Sequence, residues 1–280
     1  MDVSIIIVNY NTIELLKNCL SSIKNSISGI SYEVIVVDNA SIDNSVRILT
    51  ELFPDVFVIE SKENLGFGRA NNLGSKHAKG KYLFYLNSDT ILLNDAVSEF
   101  FRFAESSDEK IGALGCILTG PDGKTCHSYG KMITPSYELK NEIARYLRFL
   151  KPRWLTMPDK VKNPLSVDYI TGADLFVPRE VFEKTGGFDP DYFMYCEEVD
   201  WQKRMDKLNL KRFIIPGPEI IHLEGGSDTN KKKSWSKSRI SNIQNSRKIF
   251  YKKHFNKSVL TIFLVFQGII QLPWKLLSKF

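Results

Sequence analysis

The first hundred residues alternate between short, continuously apolar segments and segments in which apolar residues recur at helical spacing. Segments that are apolar at every position predict strands buried on both faces, and helices between such strands predict a parallel sheet covered on both sides. The alternation therefore predicts an α/β fold. The four strands predicted in this region are 3–10, 32–41, 56–60 and 81–89.

The segments between these strands carry helix signals. Apolar spacing predicts a helix at 12–23 with Asn11 and Glu14 as its capping pair, and Ser41 is expected to cap the next helix. The glycine-rich segment LGFGRANNLGSKHA (65–78) predicts a third helix. This order of elements is typical of a Rossmann-like, mostly parallel central sheet flanked by helices.

The alternation weakens beyond about residue 110. Residues 130–165 are a long irregular stretch with one predicted helix, NEIARYLRFL (141–150), and so long an insertion in a compact domain is typical of a lid or an acceptor-binding element. In EEVDWQKRMDKLNL (197–210), early acidic and later basic residues match the dipole of a helix. Strands are also predicted at 111–118, 167–178 and, interrupted by a turn, 211–222, and a short helix is predicted between Pro178 and Gly186.

Polar side chains stand where three of the predicted strands end. They are Asn9 to Asn11 at the first strand, Asp38 with Asn39 at the second, and Asn87 with Asp89 at the fourth. In open α/β sheets, ligands bind beyond the carboxyl ends of the strands. We therefore expect these side chains to share one site, with Asn87 and Asp89 on the same face of their strand.

Acidic and imidazole side chains form three groups along the chain: Asp89, then Glu197 with Glu198 and Asp200, then His222. Each group has an ordinary structural explanation, as a turn or cap residue, as acids at a helix start, or as a histidine that only packs. Taken together they predict a site for a divalent cation and a diphosphate, because Mg²⁺ and Mn²⁺ accept carboxylate, imidazole and phosphate ligands. One Asp and one His would leave positions open for phosphate oxygens.

The composition is ordinary for a folded globular protein, with 43% apolar and 25% charged residues. The four cysteines show no CxxC spacing, so neither a zinc site nor a disulfide framework is predicted. The opening apolar run is broken at Asn9, so no secretory signal is expected and we place the bulk of the chain in the cytosol.

The net charge of +6 is unevenly distributed. Residues 229–280 hold 12 Lys and Arg residues and no acid, which leaves 26 basic against 32 acidic side chains in residues 1–228. Ten of these basic residues lie in residues 231–257, and such a basic segment fits a solvated helix face, a nucleic-acid patch or a membrane-surface segment. The aromatic residues interleaved with its basic residues are Trp235, Phe250, Tyr251 and Phe255.

The apolar segment that follows favours the membrane interpretation, and nucleic acid is not an expected partner. A helix from Val259 to Leu272 would be about 21 Å long, which is short of the roughly 30 Å hydrocarbon core. We therefore expect it to lie in the membrane interface, with Trp274 and Lys275 as anchors. A helix packed on the rest of the chain or on a second subunit is the alternative, which leaves a homo-oligomer open.

Six segments, taken in chain order, resemble glycosyltransferase family 2, and most of all its rhamnosyltransferase-like bacterial members. The resemblance covers roughly residues 1–230. It implies a GT-A fold, a nucleotide-diphosphate-sugar donor and an inverting transfer aided by Mg²⁺ or Mn²⁺. The segments are VSIIIVNYN, EVIVVDNASIDNS, ENLGFGRANNLG, YLFYLNSD, TGADLFVPREVFEKTGGFDPDYFMYCEEVDWQKR and IIHLEGGS.

The resemblance also implies roles for individual residues. Asp89 matches the last acid of the family's DxD motif, with Asn87 in its first position, and His222 matches the histidine that completes the metal or diphosphate site. Glu198 matches the general base, and Glu197 and Asp200 are its alternatives. Asp38 would face the nucleobase, Arg69 would contact the diphosphate, and Asp174 would line the cleft. The other residues expected to bind the nucleotide-sugar are Asn9, Tyr10, Asn11, Asn64, Asn87 and Ser88.

We therefore expect a catalytic domain in residues 1–228 and a basic, amphipathic, membrane-associating extension in residues 229–280. The expected activity transfers a sugar, with rhamnose as one option, to a glycan or lipid-linked acceptor in bacterial cell-surface polysaccharide synthesis. The expected location is the inner face of the cell membrane. A nicotinamide-dependent oxidoreductase is disfavoured because the first strand does not lead into GxGxxG. A non-catalytic sugar-nucleotide-binding scaffold and a nucleotidyltransferase remain alternatives.

Overall fold

The computed structural model describes residues 1–147, 157–223, 237–262 and 265–266. The predicted domain boundary at residues 228 and 229 lies outside the described residues, as do Trp235, Trp274 and Lys275. The predicted apolar helix is described only in part, since it runs on to Leu272.

The described strands and helices follow the predicted order closely. The strands are β1 Val3–Asn9, β2 Tyr32–Asp38, β3 Phe57–Glu60, β4 Tyr82–Asn87, β5 Thr90–Leu92, β6 Ile111–Gly115, β7 Tyr129–Gly130, β8 Leu165–Ser166, β9 Tyr169–Ile170, β10 Asp174–Pro178, β11 Lys211–Ile214 and β12 Ile220–His222. The helices are α1 Ile13–Ser26, α2 Ser45–Leu52, α3 Phe67–His77, α4 Ala96–Ser106, α5 Pro135–Leu147, α6 Arg179–Thr185, α7 Glu197–Met205 and α8 Lys237–His254.

Within the described residues, eight strands form one sheet in the order β3-β2-β1-β4-β10-β6-β11-β8. Strands β3, β2, β1 and β4 are parallel to one another. Strand β10 runs antiparallel to β4 and to β6, and β11 returns parallel to β6. The prediction of a mostly parallel sheet flanked by helices is therefore confirmed, with β10 as the reversed strand in its middle.

The core lies on both faces of this sheet, as the apolar runs predict. In β4, Phe84 and Leu86 point into one cluster and Leu83 and Tyr85 into the other, because successive residues of a strand face opposite sides. The first cluster includes residues of α1 and α4, and the second includes residues of α6 and α7. Each fully buried side chain of this size contributes about 1.5–3 kcal/mol of stability relative to exposure.

A third cluster joins α8 to the rest of the protein. Phe250 and Tyr251 of α8 are buried against Tyr192, Cys196 and Val199. These two aromatic side chains therefore cannot face a membrane, although their place among basic residues favoured that interpretation. For α8, packing on the rest of the chain is what the structure shows.

Two local predictions are wrong. Asn11 does not cap α1: its φ is 55°, and its side-chain oxygen accepts a hydrogen bond from the Ile42 N–H. Ser41 does not cap α2, which starts at Ser45, and its hydroxyl instead accepts hydrogen bonds from the Asn9 side chain and the Asn11 N–H. The polar groups of both loops satisfy each other across the ends of β1 and β2, and this leaves neither side chain free to cap a helix.

Candidate active site

A cavity of about 500 Å³ opens at the carboxyl ends of β1 and β4. This is the edge at which ligands of open α/β sheets bind. Its lining combines polar side chains with a few large apolar ones, as is usual for a ligand site. The lining residues are Val8, Tyr10, Thr12, Asn39, Asn64, Phe67, Asn87, Ser88, Asp89, His127, Thr171, Gly172, Ala173, Met194, Tyr195, Glu197, Glu198 and His222.

A larger cavity, of about 880 Å³, lies at the opposite end of β4 and β10. Several of the charged side chains that line it form exposed ion pairs: Lys81 with Glu105, Arg179 with Glu183, and Lys184 with Glu180. This cavity lies away from the carboxyl ends of the parallel strands, and none of the predicted site residues lines it, so the smaller cavity is the candidate active site.

The pairing of two short strands brings Asp89 and His222 together. Strand β12 runs antiparallel to β5 with His222 opposite Thr90, the residue that follows Asp89. The Nε2 atom of His222 lies 3.3 Å from Oδ1 of Asp89 and 3.4 Å from Nδ2 of Asn87. The predicted site residues Asn87, Asp89 and His222 therefore lie close together, and all three side chains line the cavity.

Glu197 and Glu198 reach the cavity from the first turn of α7. Burial raises the pKa of the Glu198 carboxyl to about 7. Burial and, after it, the nearby charge of Glu198 raise the pKa of Glu197 well above its usual value. Among the described residues, Oε2 of Glu197 is buried without a hydrogen-bond partner. Near neutral pH this pair therefore holds at least one proton that two exposed glutamates would have lost.

The two residues before α7 have strained backbones. Tyr195 and Cys196 have φ angles of 71° and 66°. For side chains with a Cβ atom this left-handed region is unfavourable by roughly 1–2 kcal/mol per residue. The strain directs the Tyr195 side chain and the start of α7 into the cavity wall, and neighbouring contacts must hold it in place.

Asp200, the third acid of this helix, lies outside the cavity. Its carboxylate accepts hydrogen bonds from Tyr192 Oη and Arg204 Nε, at 3.1 and 2.9 Å, and lies 2.7 Å from Nε2 of His254. The carboxyl is 1% exposed. Burial alone would raise the pKa of Asp200, but the hydrogen bonds from His254 and Arg204 outweigh it and hold that pKa below its usual value.

The residues predicted to bind the nucleotide-sugar divide into two groups. Tyr10, Asn64, Asn87 and Ser88 line the cavity. The structure places Asn9, Asn11, Asp38, Arg69 and Asp174 behind it or beside it, since none of them belongs to the lining.

Asn9 and Asp38 lie buried at the ends of β1 and β2, next to the cavity. The side-chain amide of Asn9 donates to Oδ1 of Asp38 at 2.9 Å and to Ser45 Oγ at 2.8 Å. Both side chains are almost fully buried. They therefore support the loops that carry Tyr10 and Asn39 instead of facing the cavity themselves.

Arg69 and Asp174 also have local partners. Arg69 Nε donates to the Pro190 carbonyl oxygen at 2.6 Å, and the Cys116 N–H donates to Oδ2 of Asp174 at 2.7 Å. Burial raises the pKa of Asp174 to about 7, although the hydrogen bond from Cys116 opposes this.

Asn39, expected at this edge beside Asp38, lines the cavity, and its side chain bridges to Asn64 Oδ1 and to the Leu65 N–H. Several other cavity residues were not predicted from the sequence. His127 lies in a loop without any periodic signal, and Tyr195 depends on a left-handed backbone that the sequence does not indicate. Thr171 lies in a segment predicted as one strand, 167–178, which the structure divides into β9 and β10 with Thr171 between them. Phe67 is hidden within the glycine-rich segment.

The comparisons with known proteins identify the family of the chain. Residues 4–184 match the family model for glycosyl transferase family 2. N-acetylglucosaminyl-diphospho-decaprenol L-rhamnosyltransferase of Mycobacterium tuberculosis is 28% identical over 205 residues, which are 68% of this chain and 66% of the relative. Rhamnosyltransferase WbbL of Escherichia coli is 26% identical over 164 residues, 56% of this chain and 60% of the relative. The match thus spans less than two thirds of the length of each relative.

A solved structure extends the likeness to the whole architecture. The mannosyltransferase PcManGT from Pyrobaculum calidifontis, in complex with GDP-Man and Mn²⁺, is 15% identical, with a TM-score of 0.54 over 99% of this chain and 83% of that one. At this level of identity the likeness concerns the fold, and it confirms the expected GT-A architecture. The matching family model covers more than half of the sequence. The chain therefore belongs to glycosyltransferase family 2.

Proposed function

We propose that the protein transfers a sugar from a nucleotide-diphosphate-sugar to a hydroxyl group of an acceptor, with inversion at the anomeric carbon. One observation carries the proposal: Asp89, His222 and Glu198 come from three distant parts of the chain and line one cavity at the carboxyl edge of the sheet. A carboxylate with an imidazole suits a diphosphate and its cation, and a separate carboxyl with a raised pKa suits a general base.

The nucleotide would lie at the ends of β1 and β2. Tyr10 is 47% exposed at the cavity and offers a ring face, and Asn39 and Asn64 offer amide groups beside it. The diphosphate would then extend toward Ser88 and Asp89. This orientation puts the sugar between the metal-side residues and α7.

A divalent cation fits the residues present. Asp89 and His222 would hold it through the carboxylate and Nε2, which lie 3.3 Å apart, with Asn87 beside them. Among the described residues, no three His, Cys, Asp or Glu side chains cluster as a metal-binding group, so two protein ligands suit an ion that keeps waters and takes phosphate oxygens. When bound, Mg²⁺ or Mn²⁺ would neutralise negative charge on the leaving diphosphate. GDP-Man and Mn²⁺ occur together in the mannosyltransferase structure.

Glu198 would accept the proton of the acceptor hydroxyl as that oxygen attacks the sugar from the side opposite the diphosphate. Its pKa of about 7 suits this role, because a base titrating near the working pH is both largely ionised and basic enough to take the proton. Glu197 is the less suitable base, since its pKa is raised well above its usual value and it is more deeply buried. We infer that Glu197 stays protonated, and therefore neutral, at the cavity wall.

The proposals for the sugar and the acceptor are supported by the names of the relatives and by the last described residues of the chain. Two relatives are named rhamnosyltransferases, and one of these names includes a prenyl-diphosphate-linked sugar. A lipid-linked acceptor would meet the protein at a membrane surface, so we propose work at the inner face of the cell membrane, in cell-surface polysaccharide synthesis. In residues 257–266, apolar side chains exposed to solvent would touch that surface: Val259, Ile262, Val265 and Phe266.

No helix in the described ranges is both long and apolar enough to cross a bilayer. The proposed attachment therefore rests on the exposed apolar side chains and the basic residues beside them. Basic residues near an anionic leaflet add on the order of 1 kcal/mol each.

The test is donor turnover by the purified full chain. Uridine, guanosine and thymidine diphosphate sugars would be offered with Mn²⁺ and a prenyl-diphosphate-linked N-acetylglucosamine, and release of nucleoside diphosphate and glycosylated lipid would be measured. We expect turnover with one donor class, an inverted anomeric configuration by NMR, and loss of turnover in Glu198→Gln. Absence of turnover with every donor, despite tight nucleotide binding, would favour the non-catalytic alternative.

A further inference from the structure

One stripe of α8 contacts residues 189–198, the wall segment, which includes the cavity residues Met194, Tyr195, Glu197 and Glu198. Arg239 lies over the ring of Tyr195 at 5.9 Å, and Ser246 Oγ donates to the Met194 carbonyl oxygen at 2.8 Å. Lys253 and His254 follow one further interval of about seven residues along the helix. Residues spaced by seven lie on one face of a helix, so these contacts form a continuous line.

Lys253 and His254, near the C-terminal end of α8, contact the chain before and after Tyr195 and Cys196. Lys253 Nζ lies 2.6 Å from Asp189 and 2.6 Å from Asp191, where the segment begins. His254 Nε2 lies 2.7 Å from Asp200 Oδ1, in α7. The helix thus spans the strained stretch at Tyr195 and Cys196 and contacts the chain before and after it.

The Asp200 contact leads directly to the proposed base. Asp200 lies two residues after Glu198 on the same short helix, and its N–H donates to the Cys196 carbonyl oxygen at 2.8 Å. Arg204, which also binds Asp200, donates to the Thr185 and Gly187 carbonyl oxygens. Without the contact to His254, the first turn of α7 would keep its attachment to Arg204 and its apolar packing against Phe250 and Tyr251, but it would lose its hydrogen bond to α8.

We propose that His254 is a positioning residue: through Asp200, and together with Ser246, it fixes the segment 189–198 so that Glu198 and Tyr195 face the cavity. The inference rests on the proposed function where it concerns turnover. It makes the basic C-terminal helix part of the active-site framework, whatever its distal end binds.

The variants follow from these contacts. His254→Ala removes the partner of Asp200, and His254→Gln keeps a side-chain N–H at nearly the same distance from the backbone. Ser246→Ala is nearly isosteric and removes only the hydrogen bond to Met194, so it tests the inference even if His254→Ala folds poorly. Lys252→Ala is the control, because Lys252 is an exposed basic residue of the same helix and forms no hydrogen bond or ion pair with the described residues 189–198.

Two readouts are measured on the full chain. Hydrogen–deuterium exchange of residues 189–198 should rise in His254→Ala and Ser246→Ala and return toward the wild-type rate in His254→Gln. With a donor that the wild type turns over, kcat should fall roughly 10- to 100-fold in His254→Ala, as expected for a misplaced catalytic group, while the Kd of nucleoside diphosphate stays within about twofold.

The outcomes separate the two proposals. Unchanged exchange of residues 189–198 in both His254→Ala and Ser246→Ala would overturn the inference, and so would an equal loss of kcat in Lys252→Ala. A wild type that turns over no donor would count against the proposed function alone, because the exchange measurement still reports whether α8 fixes the wall.

Discussion

His222 Nε2 and Asp89 Oδ1 lie 3.3 Å apart because β12 pairs with β5 in a separate two-stranded sheet, in which His222 lies opposite Thr90, the residue after Asp89. The main chain reinforces the arrangement: the Leu223 N–H donates to the Asp89 carbonyl oxygen at 2.9 Å. A carboxylate from the turn between β4 and β5 and an imidazole from the end of β12 are thereby held side by side, which is a suitable support for a bound cation.

Asp89→Asn should weaken the Mn²⁺-dependent binding of nucleoside diphosphate. The amide keeps the size of the side chain but removes the charge that would attract the cation, and loss of a metal ligand or of its support typically lowers affinity 10- to 100-fold. Calorimetric titration of nucleoside diphosphate with and without Mn²⁺ measures the effect. Asp108→Asn is the matched control, since Asp108 is exposed after α4 and far from the cavity in sequence. Equal affinity in wild type and Asp89→Asn would remove Asp89 from the cation site.

Glu198→Gln should lower turnover by roughly 10²- to 10⁴-fold, the contribution typical of a positioned general base. Donor binding should change little, because glutamine fills the same space at the cavity wall. Single-turnover kinetics measure the first effect and nucleotide-sugar titration the second. A Glu197→Gln variant that loses as much turnover, with Glu198→Gln unaffected, would transfer the role to Glu197.

The wild-type rate should depend on pH through the same carboxyl. A base with a pKa of about 7 must be ionised to act, so kcat/KM should rise about tenfold per pH unit below that value and level off above it. The profile is measured at saturating Mn²⁺. A kcat/KM that stays constant from about pH 5 to about pH 8, a range that brackets the Glu198 pKa, would contradict the assignment.

The same raised pKa predicts how Glu198→Gln alters stability. The folded state keeps a proton on Glu198 that the unfolded chain has already released, so the folded state is penalised increasingly from the usual glutamate pKa up to about 7 and constantly above it. Glu198→Gln should therefore stabilise the protein at pH 8.5 by about 1–3 kcal/mol and have little effect at pH 4, since one pKa unit corresponds to about 1.4 kcal/mol. Urea unfolding at both pH values checks the sign.

Asp200→Asn should show the opposite pH dependence. The pKa of Asp200 is held below its usual value, so the contribution of the carboxylate to stability is fully present above about pH 4 and is lost as the pH falls through the lower folded-state pKa. Breaking a buried ion pair on one side destabilises a protein by about 3–5 kcal/mol. The variant should be weaker at pH 7 and approach the wild type in strong acid, as urea unfolding would report.

The exposed apolar side chains of residues 257–266 should govern vesicle binding. Ile262→Asp combined with Phe266→Asp places charges on side chains that are 58% and 50% exposed, and it should abolish cosedimentation with phosphatidylglycerol vesicles. Leu52→Asp, at an exposed apolar residue of α2, is the control and should bind as the wild type does. Unchanged binding of the double variant would remove this surface from the membrane proposal.

The sheet was predictable because its strands are apolar on both faces, a pattern that few other elements share. Strand β4 shows this directly: every residue from Tyr82 to Leu86 is buried, and the run ends at Asn87, where the cavity begins. The polar residues at the strand ends were predictable for the same reason, since a buried strand must reach the edge before it can carry a charge. The roles assigned to the site residues remain predictions.

Other features depended on contacts that no local pattern encodes. Asn11 looks like a cap residue in sequence, but its side chain accepts a hydrogen bond from the Ile42 N–H. This contact depends on β1 and β2 lying side by side. The basic residues of α8 conceal the stripe that contacts the cavity wall, because Phe250 is its main buried side chain and its other contacts are polar. Charge composition therefore suggested a surface helix where the structure has a packed one.

The reversed direction of β10 has a consequence for how such chains diversify. Because β10 runs against β4, its first residues enter at the edge where the parallel strands end, and the Asn87 N–H donates to the Ala173 carbonyl oxygen across that seam at 3.0 Å. Segments inserted between β6 and β10 can therefore lengthen or change without moving Tyr10 or Asn39, which stand on the far side. Under the proposed function, a gene could thus exchange the half that would select acceptors and inherit the half that would bind the donor intact.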